Sequence, residues 1–168
     1  MPEWIRKDNK ERLKEEVDAN LVSLLKFPAL EATNLVKHAF STRMGGVSTG
    51  YLSSMNLSFT KENSYDNVLE NYKRVSKALG VDVEDMVLSY QTHTTNVLKV
   101  ESKHRGSGIL RKREYGDVDA LITNEKGVCL VTFFADCVPI YLLDTKNKAI
   151  GLAHSGWRGT VERISEKT

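Results

Sequence analysis

The sequence predicts an α/β fold, and three observations carry that reading. Apolar residues recur at helical spacing between Ser64 and Leu79, and four short β-rich segments follow one another between Ala120 and His154. One of those segments, Val128 to Phe134, is nearly all apolar, as a strand covered on both faces is.

The elements read in order as follows. Leu13, Val17, Leu21, Leu24 and Leu25 recur at helical spacing and predict an amphipathic helix over Lys10 to Leu25, ended by Pro28. Leu35 to Thr42 reads as a strand running into a turn at Gly45-Gly46, and Gly50 to Leu57 as a loop. The second helix starts near Ser64 or Asp66, buries Val68, Leu69, Tyr72, Val75 and Leu79, and stops at Gly80. Met86 to Tyr90 and Asn96 to Val100 are short strands around Gln91-Thr92-His93-Thr94, followed by a polar loop over Glu101 to Tyr115. Ala120 to Thr123, Val128 to Phe134, Val138 to Leu143 and Ile150 to His154 are the four closely spaced strands. Ser155 to Gly159 interrupts the pattern, and Thr160 onward turns helical.

With 168 residues, a single domain over 1–168 is expected, long enough to bury a core. A net charge of +2 gives no footing for nucleic acid or an anionic membrane. The basic clusters Lys103-His104-Arg105 and Arg111-Lys112-Arg113 read as solvated loop. No run approaches the roughly 18 apolar residues of a membrane span. Two cysteines without a signal peptide point to a reducing, cytoplasmic compartment, where free thiolates act as nucleophiles or metal ligands.

Three residues of metal-binding type sit where strands give way to turns: His93, Cys137 and His154. Imidazole nitrogen and thiolate sulfur suit zinc, and three protein ligands leave a fourth position open for reacting groups. The same residues also fit a plainer reading, with Cys137 a small buried hydrophobe and the histidines satisfied polar groups. Cys129, inside an apolar run, reads as an inert core thiol, His38 as packing, and His104 as surface.

Five ordered segments then narrow the choice. They are His38-Ala39-Phe40-Ser41-Thr42-Arg43-Met44-Gly45-Gly46-Val47-Ser48, Ser54-Met55-Asn56-Leu57, Gln91-Thr92-His93, Ala135-Asp136-Cys137-Val138-Pro139, and Ala153-His154-Ser155-Gly156-Trp157-Arg158-Gly159-Thr160. Over residues 38–160 the chain resembles the family once called laccase-domain or multicopper polyphenol oxidase proteins, now associated with purine nucleoside phosphorylase activity. Thr94 and Ser155 stand where that family has Gly and Ala. The chain also ends at Thr168, where the family runs on, so it reads as a partial, C-terminally incomplete domain.

The resemblance implies a layered sandwich of mixed β-sheets flanked by helices. It implies a catalytic zinc on His93, Cys137 and His154, with purine nucleosides (adenosine, inosine, guanosine, methylthioadenosine) and phosphate as substrates and adenosine deamination as a second reaction. In that setting Arg43 would neutralise phosphate, with Asn56 and Arg158 as further substrate contacts and Asp136 as the proton-handling residue. Asp119, in Val118-Asp119-Ala120, matches another recurrent position of the family, with a turn role equally open. The alternatives are a copper-dependent polyphenol oxidase, which needs many more histidines than the four present, and a non-catalytic protein braced by its metal.

Overall fold

The computed structural model describes residues 12–62 and 64–168. Its first element corrects the sequence reading. Where a helix is expected over Lys10 to Leu25, two strands, β1 (Lys14–Val17) and β2 (Ser23–Lys26), pair antiparallel, Val17 facing Ser23 and Lys14 facing Lys26. Lys10 and Glu11 lie outside the described residues. The turn decides the matter. The Asp18 carboxylate accepts the backbone N–H groups of Asn20 and Val22, and Leu21 takes a left-handed conformation with φ 63°. An aspartate that satisfies its own turn competes directly with helix. Val22 and Leu24, two apart, are the residues buried, while Leu13, Val17 and Leu21 of the supposed helical stripe are exposed. Pro28 opens a short helix, α1 (Pro28–Glu31), rather than ending one. Of the strand expected over Leu35 to Thr42, β3 (Phe40–Ser41) pairs with β2 and completes a three-stranded sheet.

Helix α2 (Tyr65–Leu79) follows expectation closely. Ser64, rather than Asp66, caps it by accepting the Asn67 N–H, and Gly80 closes it in the left-handed conformation that an L side chain disfavours. One face carries Val75 and Leu79 against Leu24 of the first sheet, Val22 just ahead of β2, and Met55 from the loop after the Gly-Gly turn. The other carries Val68 and Tyr72 against β4 (Met86–Leu88). Strand β4 pairs in parallel with β7 (Cys129–Val131). Its Met86 and Leu88 face α2, whereas Val87 faces Val100, Val118, Leu121 and Val128 on the opposite side. That two-sided cover explains an uninterrupted apolar triplet.

Beyond this layer lies a four-stranded mixed sheet in the order β5 (Val97–Lys99), β6 (Ala120–Thr123), β9 (Ala149–Ser155), β8 (Val138–Asp144). Strands β5 and β6 run parallel, and the other two pairs are antiparallel. In the β8–β9 hairpin, Val138 faces Ser155 and Pro139 faces His154. Helices α3 (Trp157–Val161) and α4 (Ile164–Lys167) follow, with Ile164 buried on Ala120 and Ala153. Helix thus begins at Trp157, earlier than Thr160. The layered α/β architecture expected from the sequence is present. No helix among the described residues is long and apolar enough to cross a membrane.

One buried polar residue ties the Gly-Gly turn to this frame. Asn71 on α2 accepts the Val47 N–H and donates to Ser48 Oγ and the carbonyls of Ser54 and Asn56. It is fully buried, so Asn71→Ala strands a buried N–H and a carbonyl together. The expected loss is about 2–4 kcal/mol of unfolding free energy, read from urea denaturation. Wild-type stability in the variant would show that the network contributes nothing.

Candidate metal centre

The ligand-type residues arrive from three directions. His154 closes β9 and is fixed by the sheet, buried beside the ring of Phe134 at 5.7 Å between centroids. Cys137 stands just ahead of β8, and the Val138–Ser155 pairing brings it alongside the end of β9. His93 comes from the turn after β4 and adopts φ 65°, a conformation a histidine holds only when its surroundings impose it.

Asp119 is what imposes it. This side chain has no solvent contact. Its Oδ1 accepts the His93 N–H at 3.1 Å and His154 Nδ1 at 2.8 Å. Its Oδ2 accepts the N–H groups of Thr92 at 2.9 Å and Thr94 at 3.0 Å, with the Thr94 hydroxyl at 3.3 Å. A carboxylate can only accept, so Nδ1 of His154 carries the proton and Nε2 is left with a free lone pair. Burial alone would raise the Asp119 pKa. The three backbone N–H groups and His154 outweigh it and hold the carboxyl below its ordinary value. Asp119 therefore holds the His154 ring and the His93 backbone at once. Thr94, which replaces the family's glycine, joins the same carboxylate through backbone and hydroxyl. Ser155, which replaces its alanine, bonds Thr160 Oγ1 at 2.8 Å.

His93, Cys137 and His154 each offer one donor atom, and all three lie within 4.8 Å of one another. Cys137 Sγ and His93 Nε2 are 4.0 Å apart, and the two imidazoles meet edge to face at 5.0 Å. Donors around a tetrahedral zinc with bonds near 2.0–2.3 Å are separated by about 3.3–3.8 Å. The set therefore needs to contract by no more than about 1.5 Å, and its chemistry of two imidazoles and one thiol fits a borderline divalent ion. Desolvation, then the neighbouring Asp136 carboxylate and Asp119, push the Cys137 thiol above its ordinary pKa. A bound cation reverses that balance and favours the thiolate. The other two histidines are engaged elsewhere: His38 accepts the Phe27 N–H and His104 that of Glu101.

Gly156 completes the wall. A Cβ there would lie 2.9 Å from His93 Cδ2 and 3.1 Å from Cys137 Sγ. Its backbone, at φ −72° and ψ 175°, is open to any residue, so the demand is for space alone. Gly156→Ala is expected to fold normally yet weaken metal affinity by about 10–100-fold, as displacement of supporting groups does. A competition titration against a chelator measures it, and unchanged affinity would mean that the two ligands have room to spare.

Of the remaining sequence candidates, Arg43, Asn56 and Arg158 make their contacts apart from this cluster, and Asp136 borders it. Arg43 is exposed and donates through Nε and Nη2 to the Ser53 carbonyl. Asn56 accepts the Ser58 N–H and donates to Ser58 O and Glu62. Arg158 lies over the Trp157 ring, 5.3 Å from its centroid. Asp136, exposed, sits 3.8 Å from the Cys137 sulfur. Sequence reasoning left Asp119 open between two roles and passed over Gly156. The signal for Asp119 was its place one residue ahead of a strand, but its partners are 25–35 residues away along the chain.

The chain is similar to known proteins in both sequence and fold. Residues 37–168 match the family model described as multi-copper polyphenol oxidoreductase laccase. A Bacteroides thetaiotaomicron protein named purine nucleoside phosphorylase is 34% identical over 146 residues, 86% of this chain and 54% of that protein. A protein of an unknown prokaryotic organism, named adenosine deaminase RL5, is 35% identical over 130 residues, 76% of this chain and 50% of its own. The crystal structure of the Bacillus licheniformis hypothetical protein YfiH superposes with a TM-score of 0.80 at 32% identity, covering 91% of this chain and 56% of that one. The chain thus spans about half the length of the curated relatives it matches. With sequence motifs, fold and family model in agreement, the chain belongs to the multi-copper polyphenol oxidoreductase laccase family.

Proposed function

We propose that this chain carries the metal site of a purine nucleoside phosphorylase that also deaminates adenosine, with zinc on His93, Cys137 and His154. One observation supports the reading above the others: two imidazoles and a thiol converge within 4.8 Å, with a single buried carboxylate bonding the His154 ring and the His93 backbone. The names of the relatives from Bacteroides and from the unknown prokaryote point the same way. Zinc is preferred to copper because a thiolate with two imidazoles and an open position is a zinc donor set, and a multi-copper oxidase needs several further ligand groups. In the bound state such an ion supplies Lewis-acid polarisation of a substrate oxygen.

The chain's own residues do the rest. Asp119 fixes the His154 ring and the His93 backbone, and Phe134 packs beside His154. Asp136, exposed beside Cys137, is placed to take or give a proton at the rim. Arg43 would hold phosphate by turning part of its guanidinium fork away from Ser53. Asn56 and Arg158 are assigned to the nucleoside, with adenosine, inosine, guanosine and methylthioadenosine as the substrates to try.

The test is elemental analysis of the purified chain by mass spectrometry, paired with release of ribose 1-phosphate from adenosine and inorganic phosphate. One zinc per chain and phosphate-dependent release are expected. Copper in its place, or zinc without any phosphorolysis or deamination, would overturn the proposal.

A further inference from the structure

We propose that a second cleft, bordered by Gln91 and floored by aromatic side chains, binds a phosphorylated aromatic ligand of nucleoside-monophosphate size. The cleft measures about 710 Å³ and contains none of the three metal-ligand candidates. That volume lies in the range of small-molecule sites, roughly 300–1,000 Å³.

Its charge is one-sided. Arg111, Lys112 and Arg113 line it, and among the described residues no aspartate or glutamate does. Among the described residues none of the three forms an ion pair. Arg111 donates to the Arg105 and Lys103 carbonyls, and Arg113 donates to the Ser89 carbonyl. These bonds fix the guanidinium groups without cancelling their charge. In a chain of net charge +2, three adjacent uncompensated cations on one concave wall define a site for an anion. Lys112 engages no hydrogen-bond partner among the described residues, so its ammonium is available to a phosphate.

The apolar half is equally organised. Tyr72, Phe59 and Tyr65 form a run of stacked rings, with centroids 5.6 and 5.0 Å apart and interplanar angles of 12° and 27°. The run starts in the core, where Tyr72 is 1% exposed, and ends in the cleft wall, where Tyr65 is 51% exposed. Tyr65 donates its hydroxyl to the Ile109 carbonyl at 2.8 Å, which locks the ring in place. A stack that stops at a fixed, exposed ring presents a π-face to a further flat ring, and a base occupies such a face without ordering cost to the protein. Tyr90, with Arg113 4.8 Å above its ring, offers a second platform where cation and ring already pair. Flat ring and anion on one ligand, at this size, describe a nucleoside monophosphate.

The proposal stands independently of the metal reading, and the experiment separates them. Calorimetric titration of the purified chain with adenosine 5′-monophosphate, adenosine and inorganic phosphate is the measurement. The monophosphate is expected to bind more tightly than either fragment. Lys112→Glu, which breaks no hydrogen bond or ion pair among the described residues, is expected to weaken it roughly tenfold by replacing attraction with repulsion. Tyr65→Leu keeps bulk against Phe59 and removes the ring face. It is expected to weaken the monophosphate roughly tenfold and leave inorganic phosphate unchanged. Cys137→Ala is expected to bind the monophosphate as the wild type does. Three results would each overturn the proposal: equal affinity for phosphate and monophosphate, no response to Lys112→Glu, or loss of monophosphate binding in a folded Cys137→Ala protein.

Discussion

Asp119→Asn is expected to melt about 6–12 °C below the wild type and to lose metal affinity by about 10–100-fold or more. The isosteric change keeps the shape and removes one acceptor. If the amide turns its NH₂ toward Thr92 and Thr94, donor faces donor at two backbone N–H groups and a hydroxyl, in a place water does not reach. If it turns the other way, the NH₂ meets the His93 N–H and His154 Nδ1. His154 then gains by shifting its proton to Nε2, the nitrogen the metal needs. Neither orientation is tolerable. Each stranded buried donor costs about 1–3 kcal/mol, which gives a total near 3 kcal/mol. Thermal unfolding and a chelator competition measure the two effects separately. A variant with wild-type melting and wild-type metal affinity would show that Asp119 orients nothing.

If the proposed function holds, Cys137→Ala is expected to abolish stoichiometric metal binding, and with it the proposed phosphorolysis, in a protein that stays folded. The thiolate is the only anionic ligand of the three, and the other two are held from elsewhere, so the site loses charge rather than scaffold. Stability should change by less than about 1 kcal/mol, because the residue sits at the open end of the cluster ahead of β8. Cys129→Ala makes the contrast. That thiol lies in β7 against the α2 layer, and burial pushes its pKa up to about 11, well away from thiolate chemistry. Its loss should cost about 1 kcal/mol of packing and leave metal content unchanged. Zinc stoichiometry and ribose 1-phosphate release for the two variants decide between them. If Cys129→Ala alone destroyed both, the ligand assignment would be wrong.

The fold was legible where local pattern and tertiary role agree. Ser64, the apolar face of α2 and Gly80 each signal the same helix, and the four strands from Ala120 to His154 keep their order, three with ends within a residue of expectation and β7 stopping at Val131 rather than Phe134. The N-terminal hairpin misled because Leu13, Val17, Leu21 and Leu24 fall by chance at helical spacing. The competing signal was Asp18-Ala19-Asn20, a turn composition in the middle of the supposed helix. At the candidate site, residue type near strand ends singled out the three side chains that converge. Their organiser was not legible in the same way. Asp119 matters through groups on two other segments, and no local window contains them.

The β8–β9 hairpin gives the metal centre an unexpected point of vulnerability. Cys137 and His154 are brought together by strand register, with Pro139 opposite His154 and Asp144 opposite Ala149 at the far end. That register is set at the turn, where the Asp144 carboxylate accepts the N–H groups of Lys146 and Asn147 and Lys148 takes φ 52°. Seven residues of strand, about 20 Å, separate the turn from the ligands. A single residue inserted or deleted there leaves two choices. The strands can bulge locally, or they can slip by one and carry every side chain of β8 to the opposite face. In the second case the sulfur leaves the site although no residue near it has changed. Length variation in a surface turn is ordinarily the most permissive kind of sequence change, but in this hairpin it acts as a gauge of ligand spacing.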